Sequence, residues 1–292
     1  MMARTTYPRA GLGALFSAMA AAVQWRLLLL WLLLMLLPAT VVALPLWRTL
    51  AGLLDHSVHA GAWARQFDPL MFGDAAFAMG GHTAWLGGAA LLGVLLTLLL
   101  SPFLDGMAVG SGRAGRPLDF GALLLGGWIE YGRMFRVMLW SLLPYAVVAL
   151  VAGVASHMAA THAGQAVLEA QADAWQHGAY WALLVAFVLA QAVVESARAA
   201  FIADAGLRSA TRALGRGIRQ LLGRPLKTLS FYLVVSLLGL AAAGVLGIAR
   251  IHVTAAGGGF WLALLLGQLI VAALGWMRIA RLFALARLAR QR

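Results

Sequence analysis

Six apolar runs of roughly 20 residues each, at about 27–46, 83–103, 134–156, 179–202, 226–249 and 260–282, dominate this chain. A helix of that length crosses the roughly 30 Å hydrocarbon core of a bilayer. In hydrocarbon the backbone must satisfy its own hydrogen bonds, in helices or in a closed barrel, and the even alternation of barrel strands is absent here. The expected fold is an all-α integral membrane bundle of six transmembrane helices, a single polytopic domain over residues 1–292. Composition agrees, with 63% of residues hydrophobic and 11% charged, against about 45–50% and 25% in soluble domains.

The distribution of Arg and Lys orients the bundle. Of the 22 basic residues, all but Arg48, Arg65 and Arg250 fall on one side of a six-span layout. Arg4, Arg9 and Arg26 precede the first run, and Arg113, Arg116, Arg133 and Arg136 lie between the second and third. Arg287, Arg290 and Arg292 close the chain. By the positive-inside rule this side is cytoplasmic, in a bacterial inner membrane, with both termini inside. The first run is too long for the apolar core of a signal peptide and is expected to be a retained span. Pro38, Pro45 and Pro144 are expected to bend helices. A net charge of +12 would suggest nucleic acid in a soluble protein, but basic residues that flank apolar spans point to anionic lipid instead.

A threefold pattern runs through the chain. Gly13-Ala14-Leu15-Phe16, Gly121-Ala122-Leu123-Leu124 and Arg212-Ala213-Leu214-Gly215 open half-polar stretches that end in Trp25-Arg26, Tyr131 to Arg133 and Arg224-Pro225. Each precedes an odd-numbered span. The unit reads as an interfacial helix, a span out and a span back, giving three hairpins with cytoplasmic amphipathic helices. The third copy is the clearest. At 100° per residue Arg208, Arg212, Arg216 and Arg219 share one face, while Leu207, Leu214, Ile218, Leu221 and Leu222 share the opposite one. Such a helix is expected in the membrane plane with its apolar face down. Arg208, Arg212, Arg216, Arg219, Arg224 and Lys227 are the candidate contacts for anionic lipid or a protein partner; the simpler role for the same helix is a topology anchor.

Glu195-Ser196-Ala197-Arg198, then Asp204, then Ser209 through Arg219 and Arg224-Pro225-Leu226 resemble a pattern in bacterial proteins of six transmembrane helices. There an acidic-x-x-Arg ends one span and a basic helix with Arg-Pro opens the next. The layout is also similar to the membrane domain attached to some glycerophosphodiester phosphodiesterases. This resemblance covers mainly residues 191–240 and implies a membrane fold. It brings no chemistry with it, because the phosphodiesterase catalytic domain has no counterpart in this sequence.

Charges at membrane depth are costly and face the bundle interior or reach for the interface. Asp105, Gln191, Glu195, Arg198, Arg278 and Arg281 lie at or near the ends of the returning spans, so a common axis would gather them in one polar cluster. That cluster can serve as an internal ionic lock or as a gate at a cytoplasmic mouth; pairing is the usual fate of membrane charges. On the other side lie His56, His59, His82, His157, His162, His177 and His252, with Gln165, Glu169, Asp173 and His177 spaced as an i+4 ladder. No metal-site spacing matches, so no metal is expected.

Other chemistries lack their residues. Zero Cys excludes disulfides, thiol catalysis and thiolate metal sites. Gly110-Ser111-Gly112-Arg113-Ala114-Gly115 spells a dinucleotide fingerprint, with Glu130 beyond it, but it follows a membrane span rather than a strand and reads as a loop. Gly239, Ala243 and Gly247 repeat at fourth positions, as in close helix contacts. Trp25, Trp47, Trp85, Trp128, Trp181 and Trp261 fit interfacial belts. The expected function is that of a non-enzymatic inner-membrane protein, without cofactor. It would act as an accessory or subunit through anionic lipid, a protein partner or a second copy of itself. The alternative is a small permease or lipid transporter that uses the polar cluster.

Overall fold

The computed structural model describes residues 11–55, 57–58, 61, 69–80, 83–166, 168–254 and 257–291, which are mostly helical with no strand among them. The helices are α1 (Leu12–Ala21), α2 (Trp25–Leu54), α3 (Pro69–Met79), α4 (Thr83–Ala114) and α5 (Phe120–Trp140), followed by α6 (Leu142–Ala163), α7 (Glu169–Ala203), α8 (Ala210–Gly223), α9 (Pro225–Ile251) and α10 (Gly259–Arg290). Six stretches are long and apolar enough to cross a membrane, so the fold is an all-α membrane bundle. The order of a leading helix and then two spans occurs three times, with α3 inserted in the first copy.

The third span differs from the expected 134–156. The apolar stretch Phe120–Ala163 is 44 residues long, and its helix breaks at Ser141. Pro144 explains the position: it has no N–H to offer the Trp140 carbonyl four residues back, and its ring crowds that carbonyl. Ser141 marks the break with a hydrogen bond from its hydroxyl to the Met138 carbonyl, 2.5 Å. At 22 residues and about 33 Å, α6 alone matches the hydrocarbon thickness. Pro38 and Pro45, by contrast, lie inside the continuous helix α2.

Two compact units make up the chain, and neither is contiguous in sequence. The first comprises α1, α4 from Asp105 onward, α5 to α8, α9 up to Val235 and α10 from Ile279 onward. Its core is built from Met107, Leu123, Met134, Phe201, Ile279, Leu282 and Leu285, all fully buried. Within it α6 and α7 pack as a hairpin, and α8 packs on α7 and α5. The second comprises α2, α3, the earlier part of α4, the later part of α9 and α10 up to Arg278. There Gly239 of α9 lies where a Cβ would meet the Met277 side chain at 2.5 Å. Gly247 has open space around it, so the small-residue row makes close contact at its first member rather than along its length.

Long helices carry large apolar side chains outward, as with Leu95, Leu150, Leu237, Leu240 and Val245, each about half exposed or more. In water such a surface would drive aggregation. In lipid tails these side chains lose nothing, because the tails are as apolar as Leu.

The glycines of α4 set how that helix meets α5. A Cβ on Gly106 would lie 2.9 Å from the Gly127 carbonyl oxygen, and one on Gly110 would lie 3.4 Å from the Gly126 Cα. Gly112 faces Phe283 and Ile202 just as closely. The fingerprint-like segment is therefore the last turns of a helix rather than a loop, its glycines serving close backbone approach. Gly115, at φ +64°, ends α4 in the left-handed conformation that favours glycine.

Candidate functional site

Three returning spans bring charge together in the first unit. Asp105 of α4, Glu195 and Arg198 of α7 and Arg281 of α10 form one network. Arg198 Nε lies 3.2 Å from Asp105 Oδ2 and its Nη1 donates to Glu195 Oε1 at 3.4 Å. Arg281 Nη2 approaches the same Glu195 oxygen at 3.7 Å. Both carboxylate side chains are 2% exposed, Arg198 is 9% and Arg281 12%, so all four are largely withdrawn from water. Two carboxylates and two guanidiniums cancel, the condition under which buried charge is tolerated. Arg281 also donates to the Tyr232 hydroxyl at 3.4 Å and lies over that ring at 5.1 Å, a cation–π contact that shields its remaining face.

The network is not saturated. Glu195 Oε2 and the neighbouring Ser196 hydroxyl are buried with no hydrogen-bond partner among the described residues. Gln191, one turn earlier, is half-buried and joins none of these pairs. Arg278, expected in the same cluster, belongs to the second unit. There it donates to Ser101 Oγ at 3.0 Å and lies 5.7 Å from the Trp31 ring centre. The ring presses against Gly275, whose Cβ would meet it at 3.0 Å.

A second network, unseen in the sequence reading, centres on Glu130 of α5. Arg113 Nη1 reaches Glu130 Oε1 at 2.5 Å, and Arg133 Nη1 reaches the same oxygen at 2.9 Å. Glu130 is 4% exposed, while the arginines are 21% and 24% exposed. Arg113 Nε also donates to the Phe201 carbonyl in the last turn of α7 at 2.7 Å. The local signal was Glu130-x-x-Arg133, an i, i+3 pair. Arg113 comes from another helix, through the glycine crossing of α4 and α5.

Helix ends absorb further arginines. Arg290 donates to the Ile202 carbonyl at 3.1 Å, so the C-terminal carbonyls of α7 receive guanidiniums from α4 and α10, where the helix dipole favours cations. Arg287 donates to the Ala14 carbonyl at 2.9 Å and to Ser17 Oγ. Gln220 Nε2 donates to the Leu285 carbonyl at 3.3 Å, and Arg224 Nη2 to the Gln291 carbonyl at 3.4 Å.

These contacts narrow the basic face of α8. Ser209 caps the helix by accepting the Arg212 N–H at 3.3 Å. Gly217 then lets it settle on α7, since a Cβ there would lie 2.5 Å from the Val193 carbonyl oxygen and 2.9 Å from the Ala197 nitrogen. Leu207, Leu214 and Leu221 are buried in protein, while Ile218 and Leu222 are exposed. The apolar face is thus divided, most of it docked on helices and only its edge open, rather than lying wholly on lipid. Among the predicted contacts Arg216 pairs with Asp204 at 2.7 Å and Arg224 is half-buried. The Arg216 guanidinium holds the Asp204 carboxyl below its ordinary range, with the Gly206 N–H assisting. Arg208, Arg212, Arg219 and Lys227 remain exposed and have no acidic partner among the described residues.

Among the described residues the histidines do not assemble. His56, His59 and His82 lie outside the described residues, as do Arg4, Arg9, Arg65 and Arg292. His177 Nδ1 meets the Asp173 carbonyl within its own helix, and His162 stacks on Trp175 with centroids 4.0 Å apart. No group of three metal-capable side chains occurs among the described residues. No protein-family profile, curated protein or solved structure matches the chain.

Proposed function

We propose that this chain is a non-enzymatic protein of the bacterial inner membrane that acts at the cytoplasmic leaflet by gathering anionic lipid on α8. The buried networks lock its helices together. The carrying observation is the unpaired basic set Arg208, Arg212, Arg219 and Lys227 beside the exposed apolar edge Ile218, Leu222 and Leu226. Guanidiniums at headgroup level with Leu side chains just below is the arrangement an anionic leaflet rewards. At about 1 kcal/mol per basic residue near such a surface, four contribute about 4 kcal/mol, roughly a thousandfold preference. The segregation of basic residues supports placing this face, with α1 and the end of α10, on the cytoplasmic side.

The test is purification with native lipids in detergent-free particles, followed by native mass spectrometry. Anionic phospholipid should be enriched over the bulk membrane, and charge reversal by Arg212→Glu with Arg219→Glu should lower the enrichment. A stoichiometric protein partner without lipid enrichment would make the chain a subunit instead.

The unpartnered Glu195 oxygen supports a second reading, a permease whose polar cluster opens. It requires Glu195→Gln to abolish transport while the protein still folds. The burial of all four charges favours the lock.

A further inference from the structure

We infer that the second unit holds a separate site, for the oxyanion of a lipid headgroup, in a cleft between α2 and α4. The cleft is open on one side, has a volume of about 560 Å3 and is lined by Arg48, Thr49, Gly52 and Leu53 of α2 and Trp85 of α4. All five residues lie in that unit. The inference is independent of the α8 reading, since it uses none of the same residues.

Depth follows from helix geometry. Arg26 and Arg48 lie 22 positions apart on α2, about 33 Å along its axis, which is one hydrocarbon thickness. Arg48 therefore stands at the headgroup level of the leaflet opposite Arg26, whichever way the chain inserts. Trp47 and Trp85, 68% and 62% exposed, mark the same level, where indoles gather. Arg48 is one of only three basic residues on that side. It is exposed, and no acidic side chain among the described residues neutralises it.

The cleft's shape adds what a lone interfacial arginine lacks. Gly52 has nothing within 4 Å of where its Cβ would stand, so the missing side chain is open floor one turn from Arg48. The Thr49 hydroxyl is turned to the Pro45 carbonyl at 2.9 Å, leaving its methyl and Leu53 as apolar wall. A planar guanidinium donates two parallel hydrogen bonds to a phosphate or carboxylate. The volume is in the range of sites for whole small molecules, more than one oxyanion fills. The fitting occupant is the glycerophosphate end of an anionic phospholipid, its oxyanion on Arg48 and its glycerol against Gly52 and Trp85. Free glycerol phosphate offers the same chemistry from solution.

The purified full chain in detergent is titrated with phosphatidylglycerol, phosphatidylcholine, glycerol phosphate and inorganic phosphate, and bound equivalents are counted by native mass spectrometry. Wild type should bind one equivalent of phosphatidylglycerol that Arg48→Gln weakens about tenfold, the loss of a charged hydrogen-bond pair. Gly52→Leu, which fills the floor, should weaken the same equivalent; Arg212→Glu with Arg219→Glu should leave it in place. Displacement of that equivalent by glycerol phosphate would assign a soluble source to the oxyanion, and no displacement would assign the lipid. Binding unchanged in Arg48→Gln overturns the site. So does loss in Arg48→Gln with full retention in Gly52→Leu, which would make Arg48 an ordinary interfacial anchor. Arg48 is exposed, so its variant folds and the result stands even if Gly52→Leu does not.

Discussion

Glu195→Gln is the most informative perturbation of the proposed ionic lock. It keeps the side-chain shape and removes one negative charge from a set of four that sums to zero. Asp105 still pairs with Arg198, while Arg281 loses its carboxylate partner and one positive charge stays buried without compensation. Breaking a buried ion pair by removing one partner typically costs about 3–5 kcal/mol. Both contacts to Glu195 are long, at 3.4 and 3.7 Å, and the amide oxygen can still accept, which puts the expected loss near the lower bound, about 3 kcal/mol. For a chain of this size that lowers the thermal midpoint by about 6–12 °C. The second variant, Glu195→Gln with Arg281→Gln, restores neutrality, leaving Asp105 with Arg198. It should regain about 1–2 kcal/mol of the loss, a coupling of the size seen between residues sharing one network. The assay is thermal unfolding of the four members of the cycle in one detergent, read by intrinsic fluorescence. Additive losses, or a Glu195→Gln midpoint within 1 or 2 °C of wild type, would refute charge balance as the organising feature.

Glu130→Gln should cost less, about 2 kcal/mol, because Arg113 and Arg133 keep partial access to water and Arg113 keeps its bond to the Phe201 carbonyl; the same unfolding assay measures it. Gly217→Leu should lift α8 from α7, at a cost of about 1–3 kcal/mol from overpacking against backbone, and hydrogen exchange should rise across residues 210–223 while α6 stays protected. Asp204 has a sign fixed by its lowered pKa. Its carboxyl is held below the ordinary 3.8 mainly by the Arg216 hydrogen bond. The pair thus favours the folded state above that ordinary value, and its contribution fades as pH falls through the depressed one. Hydrogen exchange in α8 should accelerate over that acid window in wild type and show no such step in Asp204→Asn.

Much of this fold is legible in hydropathy alone, because a membrane span must be apolar over its whole length and five of the six expected runs lie inside single helices. The sixth hides its break. Apolar residues continue across Ser141, and only Pro144 marks the place where the backbone cannot hydrogen-bond as a helix. Charge at membrane depth drew attention to Asp105, Glu195, Arg198 and Arg281, and these four pair with one another. It could not separate Arg278 from Arg281, one turn apart on α10, because their partners Ser101, Trp31 and Tyr232 are distant in sequence. Glycine-rich Gly110 to Gly115 reads as a loop, but its glycines are contact surface for Gly126 and Gly127. Glu130 gained importance only when that crossing brought Arg113 beside it.

The proposed working surface is α8, and its contact with anionic lipid can be measured in place. The native chain has no cysteine, so Leu222→Cys gives a single attachment point for an environment-sensitive fluorophore on a side chain 75% exposed. In reconstituted vesicles, brominated phosphatidylglycerol should quench this label more strongly than brominated phosphatidylcholine at equal mole fraction. Arg212→Glu with Arg219→Glu should erase the difference. Equal quenching by the two lipids in the otherwise native chain would contradict the account.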